Sequence, residues 1–269
     1  MNDHGRAIIL GVIEGLSEFL PISSTGHMLL AMPLLEISAS RPPWNTLLWV
    51  SQLGAILAVI VYFWRDLWRR TFRPASSDWR RHLLTKLVVA MIPTVVLALL
   101  LKKLLDPLEE RPLAVAAALI AGGAALWAVD RWFRRSGQQE LEDVTLTQAA
   151  LIGVMQCVSM WPGVSRSGAS IMGGMVLGLT PRVAAEFSFY LAIPTMLAAG
   201  AKTIWDQREM LSFDDVGVVA TGTATSFVVA LVVVAGFMEY VKRYRFTPFV
   251  IYRILLGASV VTYYSLPGD

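Results

Sequence analysis

Two stretches of this chain, residues 42 to 64 (PPWNTLLWVSQLGAILAVIVYFW) and 216 to 238 (VGVVATGTATSFVVALVVVAGFM), each run for 23 residues without an Asp, Glu, Lys or Arg. Crossing the hydrocarbon core of a bilayer takes about 20 mostly apolar residues, so each stretch has the length and composition of a spanning helix. The rest of the chain agrees: 55% of its residues are hydrophobic and 16% charged, where soluble domains have about a quarter charged. That balance argues against a soluble enzyme. One cysteine, Cys157, and three histidines cannot make an intramolecular disulfide or a tetrahedral Cys/His zinc site. The net charge of +3 would suit nucleic acid, but cations of a membrane protein gather in its cytoplasmic loops, and no nucleic-acid partner is expected.

Residues 112 to 129 form a shorter charge-free run, and 83 to 104, 184 to 204 and 247 to 266 are apolar with isolated charges at Lys86, Glu186 and Arg253. The reading is therefore an all-α integral membrane protein with six transmembrane helices. The N-terminal AIILGVIEGLSEFL is interrupted by Glu14 and Glu18 and lacks a small-residue cleavage site, so it reads as part of the mature protein rather than a signal peptide. Two further apolar segments, 7 to 37 and 144 to 180, are broken midway by PISSTGH and WPGVSRSGAS. Irregular backbone at membrane depth needs protein or a watery cavity to satisfy it, which predicts two re-entrant helical hairpins.

Thirteen Lys and Arg cluster in four places: Arg65, Arg69, Arg70, Arg73, Arg80 and Arg81; Arg131, Arg134 and Arg135; Arg182; and Lys242, Arg243 and Arg245. By the positive-inside rule these loops are cytoplasmic, which leaves the segments Lys102 to Arg111 and Lys202 to Asp215 and both termini outside. Shifting the sequence by 142 residues sets GVIEGLSEFLPISSTG (11 to 26) on GVMQCVSMWPGVSRSG (153 to 168), with five identities: Gly11/Gly153, Val12/Val154, Ser17/Ser159, Ser23/Ser165 and Gly26/Gly168. Ordinary residue frequencies would give about one. The expectation is one membrane domain, 1 to 269, made of two inverted repeats, 1 to 135 and 136 to 269, whose broken helices meet near the midplane around a polar site.

Glu14 and Glu18 lie one helical turn apart and so share a face. A carboxylate pair among apolar residues calls for a cation between the charges or a proton on one of them; a solvated pair at a helix mouth is the plainer alternative. Oxygen donors of this kind suit Mg²⁺ or Ca²⁺ shared with a phosphate. The second copy carries Gln156 and Met160 at these positions, so only the first can hold the metal. Ser23, Ser24, Thr25 and Gly26 offer hydroxyls and backbone N–H groups at a helix start, suited to an anion. Capping alone would account for one of the hydroxyls. His27 beside them reads as a proton-transfer group or nucleophile, against the plainer role of a satisfied core histidine. In the second break Arg166 stands between Ser165 and Ser167, with Gly163 and Gly168 admitting close backbone approach. Its anionic partner is either a bound phosphate, gripped by the guanidinium fork, or the glutamates as counter-ions. The set is equipment for phosphoryl transfer.

The segments EGLSEFLPISSTGH (Glu14 to His27) and PGVSRSGAS (Pro162 to Ser170) resemble the two signature motifs of the undecaprenyl-diphosphate phosphatases, the bacitracin-resistance family. The resemblance implies hydrolysis of undecaprenyl diphosphate to the monophosphate and phosphate at the outer face of the bacterial inner membrane, which recycles the peptidoglycan lipid carrier. It implies metal and catalytic roles for Glu14 and Glu18, catalysis by Ser24 and His27, and phosphate binding by Ser165 and Arg166. The family's second motif closes with Thr where this chain has Ser170, which keeps the hydroxyl. The other lipid-phosphatase class uses two catalytic histidines, which His4, His27 and His82 do not supply in the required pattern. A transporter or flippase is the alternative from a different class, because inverted repeats with broken helices also build transporters.

Overall fold

The computed structural model describes residues 1–38, 42–74, 78–105, 111–136, 139–207 and 212–265. Parts of both segments expected outside the membrane, 106–110 and 208–211, lie outside the described residues. Eleven α-helices are described: α1 (Asp3–Ser17), α2 (Ser24–Leu34), α3 (Trp44–Tyr62), α4 (Trp64–Phe72), α5 (Leu83–Leu105), α6 (Pro112–Trp132), α7 (Leu146–Gln156), α8 (Arg166–Val176), α9 (Pro181–Gln207), α10 (Phe213–Arg243) and α11 (Thr247–Ser265). Four of them, α3, α6, α9 and α10, are long and apolar enough to cross a membrane, so the chain is an all-α, multi-pass membrane protein. The other two segments read as spans, 83 to 104 and 247 to 266, are the helices α5 and α11.

The charges that interrupt these apolar segments are buried and tied down. Lys86 Nζ donates to the carbonyls of Leu141 at 3.0 Å and Glu142 at 2.8 Å. Glu186 pairs with Arg70 at 3.3 Å, and Arg70 also reaches Glu142 at 3.1 Å. Arg253 is likewise bonded to backbone carbonyls.

Contacts divide the chain into two compact units, each drawn from both halves of the sequence. The first comprises Met1–Phe19, Ser24–Trp64 and Ala192–Phe237. Its core joins Ala7 and Leu10 of α1, Met28 and Met32 of α2, Leu47 and Val50 of α3, and Val218 and Val219 of α10. A β-carbon on Gly11 or Gly54 would overlap the carbonyl oxygen of Gly222 or Thr223, so both glycines let α1 and α3 lie directly on the backbone of α10. The second unit comprises Leu20–Ser23, Arg65–Leu191 and Met238–Asp269. In it Gly153 of α7 lies against the Ala90 carbonyl of α5 with no room for a β-carbon, and Gly257 of α11 lies against the Ala116 carbonyl of α6. Gly11 and Gly153 are repeat partners, and each seats its hairpin on a helix from the opposite half of the sequence.

Both broken segments fold as helix, break, helix. Asn2 caps α1 through a bond from the Gly5 N–H, and Thr145 with Gln148 forms a capping box on α7. The helices after the breaks end alike. Ile37 N–H donates to Met32 O at 2.9 Å and Glu36 N–H to Pro33 O at 3.1 Å; Leu179 N–H donates to Gly174 O at 2.9 Å and Gly178 N–H to Met175 O at 3.0 Å. This is the same Schellman motif twice at a spacing of 142 residues, with left-handed Glu36 (φ 56°) and Gly178 (φ 92°) as partners.

Candidate active site

The first break has its two flanking helices in one unit and its four central residues, Leu20–Ser23, in the other. On the helix side, Glu14 is 1% exposed and Glu18 8% exposed, so both are buried and the solvated pair at a helix mouth is not what forms. Ser24, the first residue of α2, donates its hydroxyl to Glu18 Oε2. The chain reaches this arrangement because α1 stops at the residues before Pro21 and α2 restarts beside its end. Ser24 is buried, Gly26 is buried, and Thr25 and His27 are half-buried along the first turn of α2. A hydroxyl hydrogen-bonded to a buried carboxylate is an arrangement in which the carboxylate can accept the hydroxyl's proton.

The second break is built on α7 and α8 with a tight turn, Cys157–Met160, between them. Gly163 takes φ 94°, and a β-carbon on it would meet the Val115 carbonyl oxygen at 2.6 Å; no other residue type fits. Ser165 caps α8 by accepting the Gly168 N–H at 3.1 Å and shares a hydrogen bond with the Ser167 hydroxyl at 3.1 Å. Ser167 Oγ donates to Leu20 O at 2.8 Å, which joins the second break to the central residues of the first. Arg166 is half-buried, and its Nη1 donates to the Ser188 carbonyl of α9 at 3.2 Å. Ser170, fully buried, has its hydroxyl 2.6 Å from that of Ser188. Ser188, absent from the sequence reading, thus meets two residues of the motif; a serine inside an apolar helix carries no motif that would have singled it out.

Ser23 and Ser165, identical in the repeat, have φ 74° and 76°. Residues other than glycine seldom adopt this region, and it costs of order 1–3 kcal/mol at each site. The same strain therefore recurs at aligned positions of the two breaks. At the glutamate positions the copies differ in use as well as in residue: Gln156, buried, donates to Thr94 Oγ1 at 3.3 Å.

Among the described residues no group of three or more His, Cys, Asp or Glu side chains gathers. Glu14 and Glu18 offer oxygen donors alone, the kind that suits a hard cation such as Mg²⁺ taking its remaining ligands from water and phosphate.

Fold and site together define a polytopic helical membrane protein with two strained, hydroxyl-rich breaks, one beside buried carboxylates and the other carrying an arginine. The family model described as bacitracin resistance protein BacA matches residues 7–259, and the chain belongs to that family. It is 43% identical to the undecaprenyl-diphosphatase of Nitrobacter hamburgensis, over 95% of each chain. It is 44% identical to that of Novosphingobium aromaticivorans over 97% of each. It is also 44% identical to undecaprenyl-diphosphatase 2 of Paramagnetospirillum magneticum, over 94% of this chain and 96% of that one.

Proposed function

We propose that this protein hydrolyses undecaprenyl diphosphate to undecaprenyl phosphate and inorganic phosphate, in the inner membrane of a bacterium with its site open to the periplasmic side. Full-length similarity to relatives named for that activity supports the substrate, and their names speak for hydrolysis rather than transport. The observation that carries the mechanism is the hydrogen bond from Ser24 to Glu18.

Ser24 Oγ attacks the terminal phosphorus as its proton passes to Glu18. The bond from that phosphorus to the bridging oxygen breaks, and its electron pair leaves with the lipid monophosphate. Water then attacks the phosphoserine as His27 takes its proton; the Oγ–phosphorus bond breaks, Ser24 Oγ regains its proton from Glu18, and inorganic phosphate leaves. In the second break Arg166 offers phosphate oxygens its planar fork, with Gly163, Ser165 and Ser167 around it; in the first, Ser23, Thr25 and the backbone of Gly26 are the groups suited to an anion. Ser170 supports Arg166 from within α8. Glu14 and Glu18 would hold Mg²⁺ or Ca²⁺, which supplies charge neutralisation to the transferred phosphoryl group.

The test is phosphate release from lipid diphosphate by purified protein in detergent, with Mg²⁺, Ca²⁺ or EDTA and no ion gradient. Release supported by either cation and stopped by EDTA is expected. No release under any of these conditions would refute the reading.

A further inference from the structure

The charge that interrupts α11 in the sequence is one of the largest fully buried side chains, Arg253, at 1% exposure. A guanidinium has five N–H donors, and five backbone carbonyls receive these. Nε donates to Leu119 at 3.2 Å and Nη2 to Ala118 at 3.2 Å, both on α6. Nη2 also donates to Gly163 at 3.1 Å, and Nη1 donates to Val164 at 3.1 Å and to Pro21 at 2.9 Å. Pro21 and Gly163 are repeat partners, 142 residues apart. One arginine therefore grips the same carbonyl in both breaks, two residues before the strained Ser23 and Ser165. Gly122 of α6 makes the room, since a β-carbon there would overlap Arg253 Nη2.

In a planar trans peptide the carbonyl and the following N–H point opposite ways. Holding the Gly163 and Val164 carbonyls on the guanidinium therefore also aims the amides of Val164 and Ser165, and the Pro21 carbonyl does the same for Ile22. Carbonyls converging in apolar surroundings need a donor each. Lysine would supply three donors where five are used, without the planar fork.

We propose that Arg253 is a positioning residue for phosphoryl transfer. It locks both breaks through equivalent carbonyls, so that the backbone enters Ser23 and Ser165 in one preset geometry. With all its donors engaged it acts through these residues and not on the substrate. The inference rests on the phosphatase reading.

Two variants test it from opposite sides: Arg253→Lys removes donors but keeps the charge, and Gly122→Ala displaces the guanidinium but keeps every donor. The readouts are kcat and KM for phosphate release from undecaprenyl diphosphate, with thermal melting of the same detergent-solubilised samples. Arg253→Lys is expected to lose about a hundredfold in kcat, as when reacting groups are displaced by about 1 Å. Gly122→Ala should lose about tenfold on the same argument. KM should change little in both, and each should still melt above the assay temperature. If wild type releases no phosphate, the functional reading fails. With wild type active, wild-type kcat in both variants overturns the positioning role. So does a loss that only follows the folded fraction, or failure of both variants to fold, since Arg253 is then structural fabric alone.

Discussion

Replacing Ser165 separates strain from capping. Its side chain caps α8 through the Gly168 N–H while its backbone sits at φ 76° and ψ 116°. Ser165→Ala removes the cap, at about 1 kcal/mol, and keeps the strained backbone. Ser165→Gly loses only a few tenths at the cap and relieves strain of order 1–3 kcal/mol. Against that stands the freedom glycine adds to the unfolded chain, about 0.4–1 kcal/mol. Glycine should therefore be the more stable variant by about 1 kcal/mol or more, the reverse of the usual order inside a helix. In a protein of this size that is roughly 2–4 °C in melting temperature, measurable by thermal unfolding in detergent. Both variants should lose turnover, because both lose the hydroxyl that meets Ser167. An alanine variant as stable as the glycine variant or more so would refute the positive-φ argument.

Arg166→Lys should fold and lose about 2–4 kcal/mol of transition-state stabilisation, roughly thirty- to a thousandfold in kcat; a variant that melts early with normal turnover would make Arg166 a structural counter-ion. Glu18→Gln should abolish most hydrolysis and weaken its dependence on Mg²⁺ or Ca²⁺, with Glu14→Gln milder because the repeat already carries Gln156 there. Full activity in Glu18→Gln would remove both the base and the metal pair. For topology, cysteines placed singly at Ser136 and Ser212 in a Cys157→Ser background should differ: Ser212 is expected to label with a membrane-impermeant thiol reagent in intact cells and Ser136 to resist. Equal labelling would reverse or remove the orientation drawn from the loop charges.

What could be read from the sequence and what could not divides along physical lines. Charge-free length is a local property, so α3 and α10 were legible, as were the breaks, where proline, glycine and serine stop a helix. Helical periodicity placed Glu14 and Glu18 on one face, and both are buried. The identities around Ser23 and Ser165 were visible in the sequence, whereas the matching left-handed residues 142 apart at Glu36 and Gly178 were not, because only one of the two is the glycine that would betray that conformation. The positive φ of two serines carried no signal, because serine is common in every ordinary turn. Arg253 read only as a blemish in a span, since its role depends on carbonyls of Pro21 and Gly163 far away in the chain. Ser188 was silent for the same reason.

Attack by Ser24 with Glu18 as its base is the central step of the proposed reaction. Substrate labelled in the terminal phosphate, mixed with excess enzyme and quenched in acid, reports this directly. Wild type should yield an acid-stable phosphoryl group mapped to Ser24 by peptide mass spectrometry. Glu18→Gln should form it at least about a hundredfold more slowly, within the usual worth of a general base, and Ser24→Ala should form none and release no phosphate. An acid-labile label on His27, or wild-type release by Ser24→Ala, would contradict the mechanism.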